Sequence, residues 1–296
     1  MTFHRDTGLT LRMVLSFAAL AMLYLVFISV LAYLGVGFVP ILAITSVMVL
    51  AQWYFSDKIV LWSSGAKIVT KEEYPRLHAI VERIAARNGL AVPRIAIMNT
   101  QIPNAFATGK SPRSAVVAVT TGIMGVLDDD ELEGVLAHEL THVRNRDVLV
   151  LTLASLFSTV AWYLMQFGLY SGMGYGSGYG NRRDSGSAMI IVLAVAALTW
   201  FASFLIIRAI SRYREFAADR GGAEMTGRPE KLASALTKIS GKMKVIPPKE
   251  LRNVGGLNAF FIIPALSGSS IANLFSTHPP IDERVRRLME MQSLMR

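Results

Sequence analysis

The sequence predicts an integral membrane protein made of α-helical hairpins plus an α+β soluble domain. Two observations carry this. Asp, Glu, Lys and Arg are absent from residues 13–56, 148–181 and 185–207. Charged residues make up only 17% of the chain against 52% hydrophobic, and the mean hydropathy is +0.42, whereas an average globular chain has about a quarter charged residues. Exposed apolar surface on that scale drives association in water, so the uncharged stretches belong in a bilayer.

The composition excludes collagen-like, disordered and disulfide-scaffold classes, and the absence of cysteine excludes thiolate chemistry and any Cys-ligated metal. The net charge of +9, from 30 Lys+Arg and 21 Asp+Glu, raises nucleic acid as a partner. A lipid bilayer accounts for it better. Arg5, Arg12, Lys58, Arg208, Arg212 and Arg214 gather beside the apolar segments, where anionic headgroups and the positive-inside bias favour them. No zinc-finger spacing or arginine-rich tract supports nucleic-acid binding.

The elements follow in chain order. Residues 1–12 form a basic N-terminus. Residues 13–33 are long enough at 1.5 Å per residue to cross a hydrocarbon core of ~30 Å. An uncharged turn at 34–37 leads into a returning segment, 38–55, which ends in Trp53, Tyr54 and Phe55, an aromatic cluster suited to the headgroup layer. A cleaved signal peptide fits worse, because the run is too long and a second span follows at once. Residues 56–147 are the first part of the soluble domain. Residues 148–166 and 188–207 form a second hairpin, transmembrane or membrane-embedded. Its connection, 168–187, carries glycine at 168, 172, 174, 176, 178, 180 and 186 and reads as a loop. Residues 208–296 complete the soluble domain. The positive-inside rule places the N-terminus and both soluble parts in the cytoplasm.

Within the soluble parts, Leu77, Ile80, Val81 and Ile84 give residues 74–88 helical periodicity, stopped by Asn88-Gly89. Strands are expected at 94–98, 105–108 and 115–120. Asp128 or Asp129 caps a helix reaching 146 and running straight on into the third span. Another helix leaves the fourth span, passes Arg208 and ends near 223. Further helices are expected at 229–239 and 280–291.

Residues 138–142 read His-Glu-Leu-Thr-His. Four residues advance a helix by about 400°, so His138 and His142 share a face one turn apart and can ligate one ion. Glu139 lies about 100° round, where it can reach a metal-activated water as general base. A third protein ligand is needed, and the candidates are His4, His78, His278 or a carboxylate. Glu215, in Arg214-Glu215-Phe216-Ala217-Ala218-Asp219, fits best, with His278 its main rival. Asp219 stands one turn on, where it can orient an imidazole ligand from behind. An antiparallel second hairpin would return Glu215 to the side from which His142 departs.

In this order and setting, the early hairpin, HELTH at 138–142 followed by Asn145 and Asp147, EFAAD at 215–219 and FSTHPP at 275–280 resemble bacterial members of the M48 family of membrane-associated zinc metallopeptidases. The resemblance implies a zincin-like metalloprotease domain with one Zn²⁺ on His138, His142 and Glu215. It implies Glu139 as base and Asp219, with Asn145, supporting the ligands. It places His278 near the cleft as a catalytic donor, and it makes Asn104, Ala105, Phe106 and Ala107 an edge strand that pairs with an extended substrate. It further implies a stress-response role in the inner membrane. There the enzyme degrades misfolded or damaged membrane proteins alongside an ATP-dependent membrane protease. Gly109-Lys110-Ser111 lacks the glycine-rich approach of a P-loop, so ATP hydrolysis is not expected of this chain. The alternative, a membrane zinc-binding or transport protein without hydrolysis, is disfavoured because the spans hold no charged or histidine residue to form a metal path.

Overall fold

The computed structural model describes residues 7–34, 36–37, 39–174, 183–247 and 278–294. These divide into two compact units, one within Gln52–Leu149 and Ser211–Arg296, the other within Asp6–Ala51 and Val150–Ile210. Part of the FSTHPP motif, residues 275–277, lies outside the described residues.

The apolar unit holds α1 (Thr7–Tyr33), most of α2 (Val39–Tyr54) and the uncharged parts of two long helices, α7 (Asp147–Gly174) and α8 (Arg183–Thr226). Thr7–Tyr33, Asp147–Gln166 and Met189–Thr226 are long and apolar enough to cross a membrane; α2 passes only jointly with α3 (Ser56–Ser64), as a pair broken between Tyr54 and Ser56. Inside the unit Phe27 and Leu31 pack with Val160, Ala161, Leu164, Val192 and Ala196. The Tyr24 hydroxyl donates to the Ala154 carbonyl at 2.7 Å, which satisfies a buried polar group where no water competes. Outward positions carry Leu15, Met22, Leu25, Ile190 and Leu198.

The expected loop at 168–187 needs correction. The structure continues α7 to Gly174 and begins α8 at Arg183, leaving 175–182 outside the described residues. Glycine costs a helix only about 1 kcal/mol, and a chain leaving an apolar span keeps its backbone bonds internal as long as it can.

The second unit is α+β. It contains β1 (Lys67–Ile68), α4 (Pro75–Asn88), β2 (Arg94–Met98), β3 (Ala105–Thr108), β4 (Val116–Thr120), α5 (Thr121–Val126), α6 (Asp129–Asn145), α9 (Pro229–Val245) and α10 (Ile281–Leu294), with α3 and the C-terminal part of α8. The sheet order is β1-β2-β4-β3, with β2 and β4 parallel and both outer strands antiparallel to their neighbours. Alternation sends Ile95, Ile97, Ala105, Val117 and Val119 to one face, where they pack with residues of α4, α6 and α9. Ala96, Phe106, Val116 and Ala118 go to the other face and are covered by Val60 of α3.

Helix α6 starts with a full capping box. Asp128 accepts from the Glu131 N–H at 2.8 Å, and Glu131 accepts from the Asp128 N–H at 3.0 Å. Glu131 also accepts from Ser234 (2.7 Å) and pairs with Lys238 (2.6 Å), fastening α6 to α9. The expectation that α6 runs straight on into the third span is corrected. Arg146 is left-handed (φ 55°) and closes the helix, with its N–H directed at the carbonyls of His142 and Val143, and α7 starts afresh at Asp147. In an unbroken helix Asp147 would stand about 140° round from His142; the break folds it back onto that histidine.

Helix α8 carries Glu215, Asp219 and Gly222 at i, i+4 and i+7, one stripe facing α6. A Cβ on Gly222 would lie 2.8 Å from the His138 nitrogen and 3.0 Å from its Cα. We expect Gly222→Ala to destabilise the protein by about 1–3 kcal/mol, because backbone rather than a flexible side chain must yield, and to loosen metal binding with it. Gly241→Ala in α9, where a Cβ meets nothing within 4 Å, should be neutral or stabilising by up to about 1 kcal/mol. Thermal unfolding in detergent separates the two; equal midpoints would contradict the close approach.

Glu131 supplies a pH dependence. Burial acts to raise its pKa, but Lys238, Ser234 and the Asp128 N–H outweigh it and hold the carboxyl below its usual value. Its stabilisation is therefore present above the ordinary carboxylate pKa and is lost as pH falls through the depressed one. Glu131→Gln should be less stable than wild type at pH 7, with the gap narrowing below about pH 4.

Candidate metal centre

His138, Glu139 and His142 are all on α6, with His138 and Glu139 buried by α8 and the sheet. The His138 and His142 Nε2 atoms face each other at 3.1 Å. Glu215 completes a triangle, with Oε2 3.7 Å from His138 Nε2 and Oε1 3.4 Å from His142 Nε2. A tetrahedral ion with bonds of about 2.0–2.1 Å separates its ligands by about 3.3 Å, so two imidazoles and a carboxylate at these spacings fit a single zinc ion. Of the candidates raised by the sequence, the structure brings together His138, His142 and Glu215. His78 instead contacts the Val69 carbonyl (3.2 Å), and His4 lies outside the described residues.

Each donor has support behind it. His138 Nδ1 is 3.0 Å from Asp219 Oδ1, and His142 Nδ1 is 2.7 Å from Asp147 Oδ2. These carboxylates fix the ring orientation and turn each Nε2 toward the centre. Arg214 pairs with Asp147 and donates to the Asn145 carbonyl at 3.4 Å. The Asn145 contribution is thus a main-chain one. Arg284, fully buried, grips both oxygens of Asp219 (2.8 and 2.7 Å) and reaches Glu215 Oε2 at 3.3 Å. His278 Nδ1 lies 3.1 Å from Glu215 Oε2, so the predicted catalytic histidine stands beside the ligand carboxylate.

The electrostatics follow from burial and these partners. Burial pushes Glu139 up to about 7, with His142 and the Ala107 N–H acting in the opposite direction. A carboxyl near neutrality is suited to exchange a proton at working pH. Burial lowers His138 toward its neutral form. At His142 burial acts the same way but is outweighed by Glu215, and its pKa rises. Burial opposes the ionised form of Glu215 too, yet His278, His142 and Arg284 hold it well below the usual carboxylate range.

Of the predicted substrate strand, Ala105, Phe106 and Ala107 lie in β3 at the sheet's edge, and Asn104 immediately precedes it. Thr120 tethers the Asn104 main chain, accepting its N–H at 2.9 Å and donating to its carbonyl at 3.0 Å. The Ala107 N–H acts to lower the Glu139 pKa, so the edge strand β3 borders the proposed base. A groove beyond it is lined by Ala107, Thr108, Gly109, Lys110, His142 and Arg146.

The sequence alone gave no role to Arg284 or Gly222, and none to Asp147 beyond its place in a motif. Arg284 did carry a signal: it stands three residues after Ile281 and four before Leu288, on the apolar face of α10. For Gly222 the signal was its spacing from Glu215 and Asp219.

The chain is similar to known proteases over nearly its whole length. The chain is 50% identical over 293 residues to protease HtpX homolog 2 of Methanosarcina mazei, covering 99% of this chain and 98% of that protein. It is 53% identical over 290 residues to the protease HtpX homolog of Moorella thermoacetica, covering 98% and 96%, and 43% identical over 289 residues to protease HtpX homolog 1 of Streptomyces coelicolor, covering 97% and 93%. The crystal structure of S. mikatae Ste24p shares the fold, with a TM-score of 0.59 at 19% identity over 96% of this chain; this chain spans 65% of that one. The profile of peptidase family M48 matches residues 71–292, and the chain accordingly belongs to peptidase family M48 as a multi-pass membrane metallopeptidase.

Proposed function

We propose that the chain is a zinc endopeptidase of the cytoplasmic membrane that hydrolyses peptide bonds of misfolded or damaged membrane proteins. The observation that carries this reading is the triangle of His138, His142 and Glu215 with Glu139 beside it and the edge of β3 alongside. Zinc held there supplies a Lewis acid that polarises the scissile carbonyl and acidifies a water. Glu139 takes the proton of the attacking water and passes it to the leaving nitrogen. His278 donates to the developing oxyanion. Asp219 and Asp147 hold the imidazoles still through the reaction. An extended substrate pairs with β3 at 105–107, which requires an unfolded segment.

The positive-inside rule supports the cytoplasmic side for the catalytic unit, since Arg5, Arg12 and Lys58 flank spans whose short connection at 34–37 is uncharged. The family resemblance implies that extraction of folded substrates falls to a separate ATP-dependent membrane protease.

Glu139→Gln should lower casein hydrolysis in detergent by roughly 10²–10⁴-fold while retaining one zinc per chain. A zinc carrier would not respond to it. Glu215→Gln should lose zinc as well as activity; an active variant with full zinc would remove Glu215 from the ligand set. Dialysis against a chelator should abolish hydrolysis, and zinc should restore it to wild type but not to Glu139→Gln.

A further inference from the structure

Helix α3 leaves an apolar face uncovered within the catalytic unit. Its inward positions, Ser56, Val60 and Ser64, recur at i, i+4 and i+8 and are buried. Val60 packs on the sheet face formed by Ala96, Phe106, Val116 and Ala118. The opposite face carries Phe55, Ile59 and Trp62, exposed to 44%, 45% and 87%, with exposed Lys58 beside them and its ammonium over the Phe55 ring at 5.7 Å. Asp57, the acidic residue of its first turn, is paired with Arg94 at 2.6 Å. Gly65 ends the helix in the left-handed region (φ 67°), so the face stops one residue after Ser64.

A Trp exposed to this extent beside Ile and Phe is costly in water. The occupant is indicated by the chain itself: α3 starts one residue after α2, an apolar segment ending in Trp53 and Tyr54. Eight residues of helix span only about 12 Å, so Trp62 cannot lie far from the level at which α2 leaves the hydrocarbon. Aromatic residues and lysine are the side chains favoured in that layer.

We propose that α3 lies in the headgroup layer of the bilayer, with Phe55, Ile59 and Trp62 inserted among the lipids. The opposite side of α3 covers the sheet face that includes Phe106 of β3. A lipid-seated α3 therefore holds the β3 edge about one helix diameter, about 10 Å, from the membrane surface. Taken with the peptidase reading above, this restricts the site to segments just emerging from a bilayer, the juxtamembrane parts of membrane proteins.

The chain has no cysteine, so single-site spin labelling needs no background removal. Ile59→Cys and Trp62→Cys, labelled in full-length protein in nanodiscs of phosphatidylcholine and phosphatidylglycerol, should be more accessible to oxygen than to a nickel chelate. Lys71→Cys, at a side chain 58% exposed in the same unit, should show the reverse. Should labelling at 62 unfold the protein, the Ile59 label carries the same readout. Labels at 59 and 62 that match the Lys71 site overturn the proposal, as does spin–spin broadening that assigns the face to a second copy. These labels report lipid contact whether or not the chain hydrolyses anything. In a separate arm, Trp62→Glu should leave casein hydrolysis within about twofold but cut cleavage of a membrane-tethered substrate at least tenfold. Equal effects on both substrates would remove the positional restriction while leaving the peptidase reading intact.

Discussion

The centre depends on two helix backbones coming closer than side chains ordinarily permit. Glu215 has a short side chain, and it meets two histidines on α6 only because α8 passes close to that helix. Gly222 makes this possible by placing nothing between α8 and the main chain of His138. Gly221 does the same beside Thr141, where a Cβ would lie 2.4 Å from Cγ2. Glycine lowers helix propensity by about 1 kcal/mol per residue, so two adjacent glycines inside a helix are a local weakness. The close packing of α8 on α6 that they allow offsets it. Stability of the helix and geometry of the site are thus set against each other at one point in the chain.

Such a close approach buries charge. Glu139, Glu215, Asp219 and Asp147 are all buried, together with Arg214 and Arg284. Ions removed from water cost several kcal/mol each unless partners replace the solvent, and Glu215, Asp219, Asp147, Arg214 and Arg284 each have such a partner. Asp147 is shared between His142 and Arg214, and Asp219 between His138 and Arg284. Glu215 and Asp219 bring two carboxylates held ionised by their cationic neighbours, and Arg284 balances part of that charge. The burial that makes these groups expensive also pushes Glu139 up to about 7, so one physical cause fits the pocket both to hold an ion and to move a proton.

Much of the fold was legible because its signals are local. The strands at 94–98 and 105–108 coincide with β2 and β3, and the helix stopped by Asn88-Gly89 ends there with Gly89 left-handed (φ 63°). The break at Arg146 was not legible: arginine has no preference for positive φ, and what fixes the turn is Asp147 meeting His142 and Arg214, the latter far along the chain on α8. Elements α3, α5 and β1 were missed because each is short, between two and nine residues, and set by packing rather than by periodicity. At the site, spacing alone put His138 and His142 on one face. The convergence of Glu215 on them depends on tertiary structure, and Arg284 is hidden among Arg286 and Arg287 unless the apolar stripe of α10 is followed through it.

The sheet itself bears on how the site is used. Strand edges expose unpaired backbone groups and invite wrong partners, and short strands are one defence. Here one edge is β1, two residues long, and the other is β3, four residues long. Edge β3 is the one beside the proposed catalytic groups, and its Ala107 N–H acts to lower the Glu139 pKa. A four-residue edge pairs with a short extended segment and offers little to a whole sheet, so the same brevity that guards against aggregation limits what can dock. In the proposed reading, pairing there would lay a substrate backbone across the face of α6 that carries His138, Glu139 and His142. On that proposal, access would be governed by whether a segment is already extended, which a damaged or unfolded protein supplies and a folded one does not.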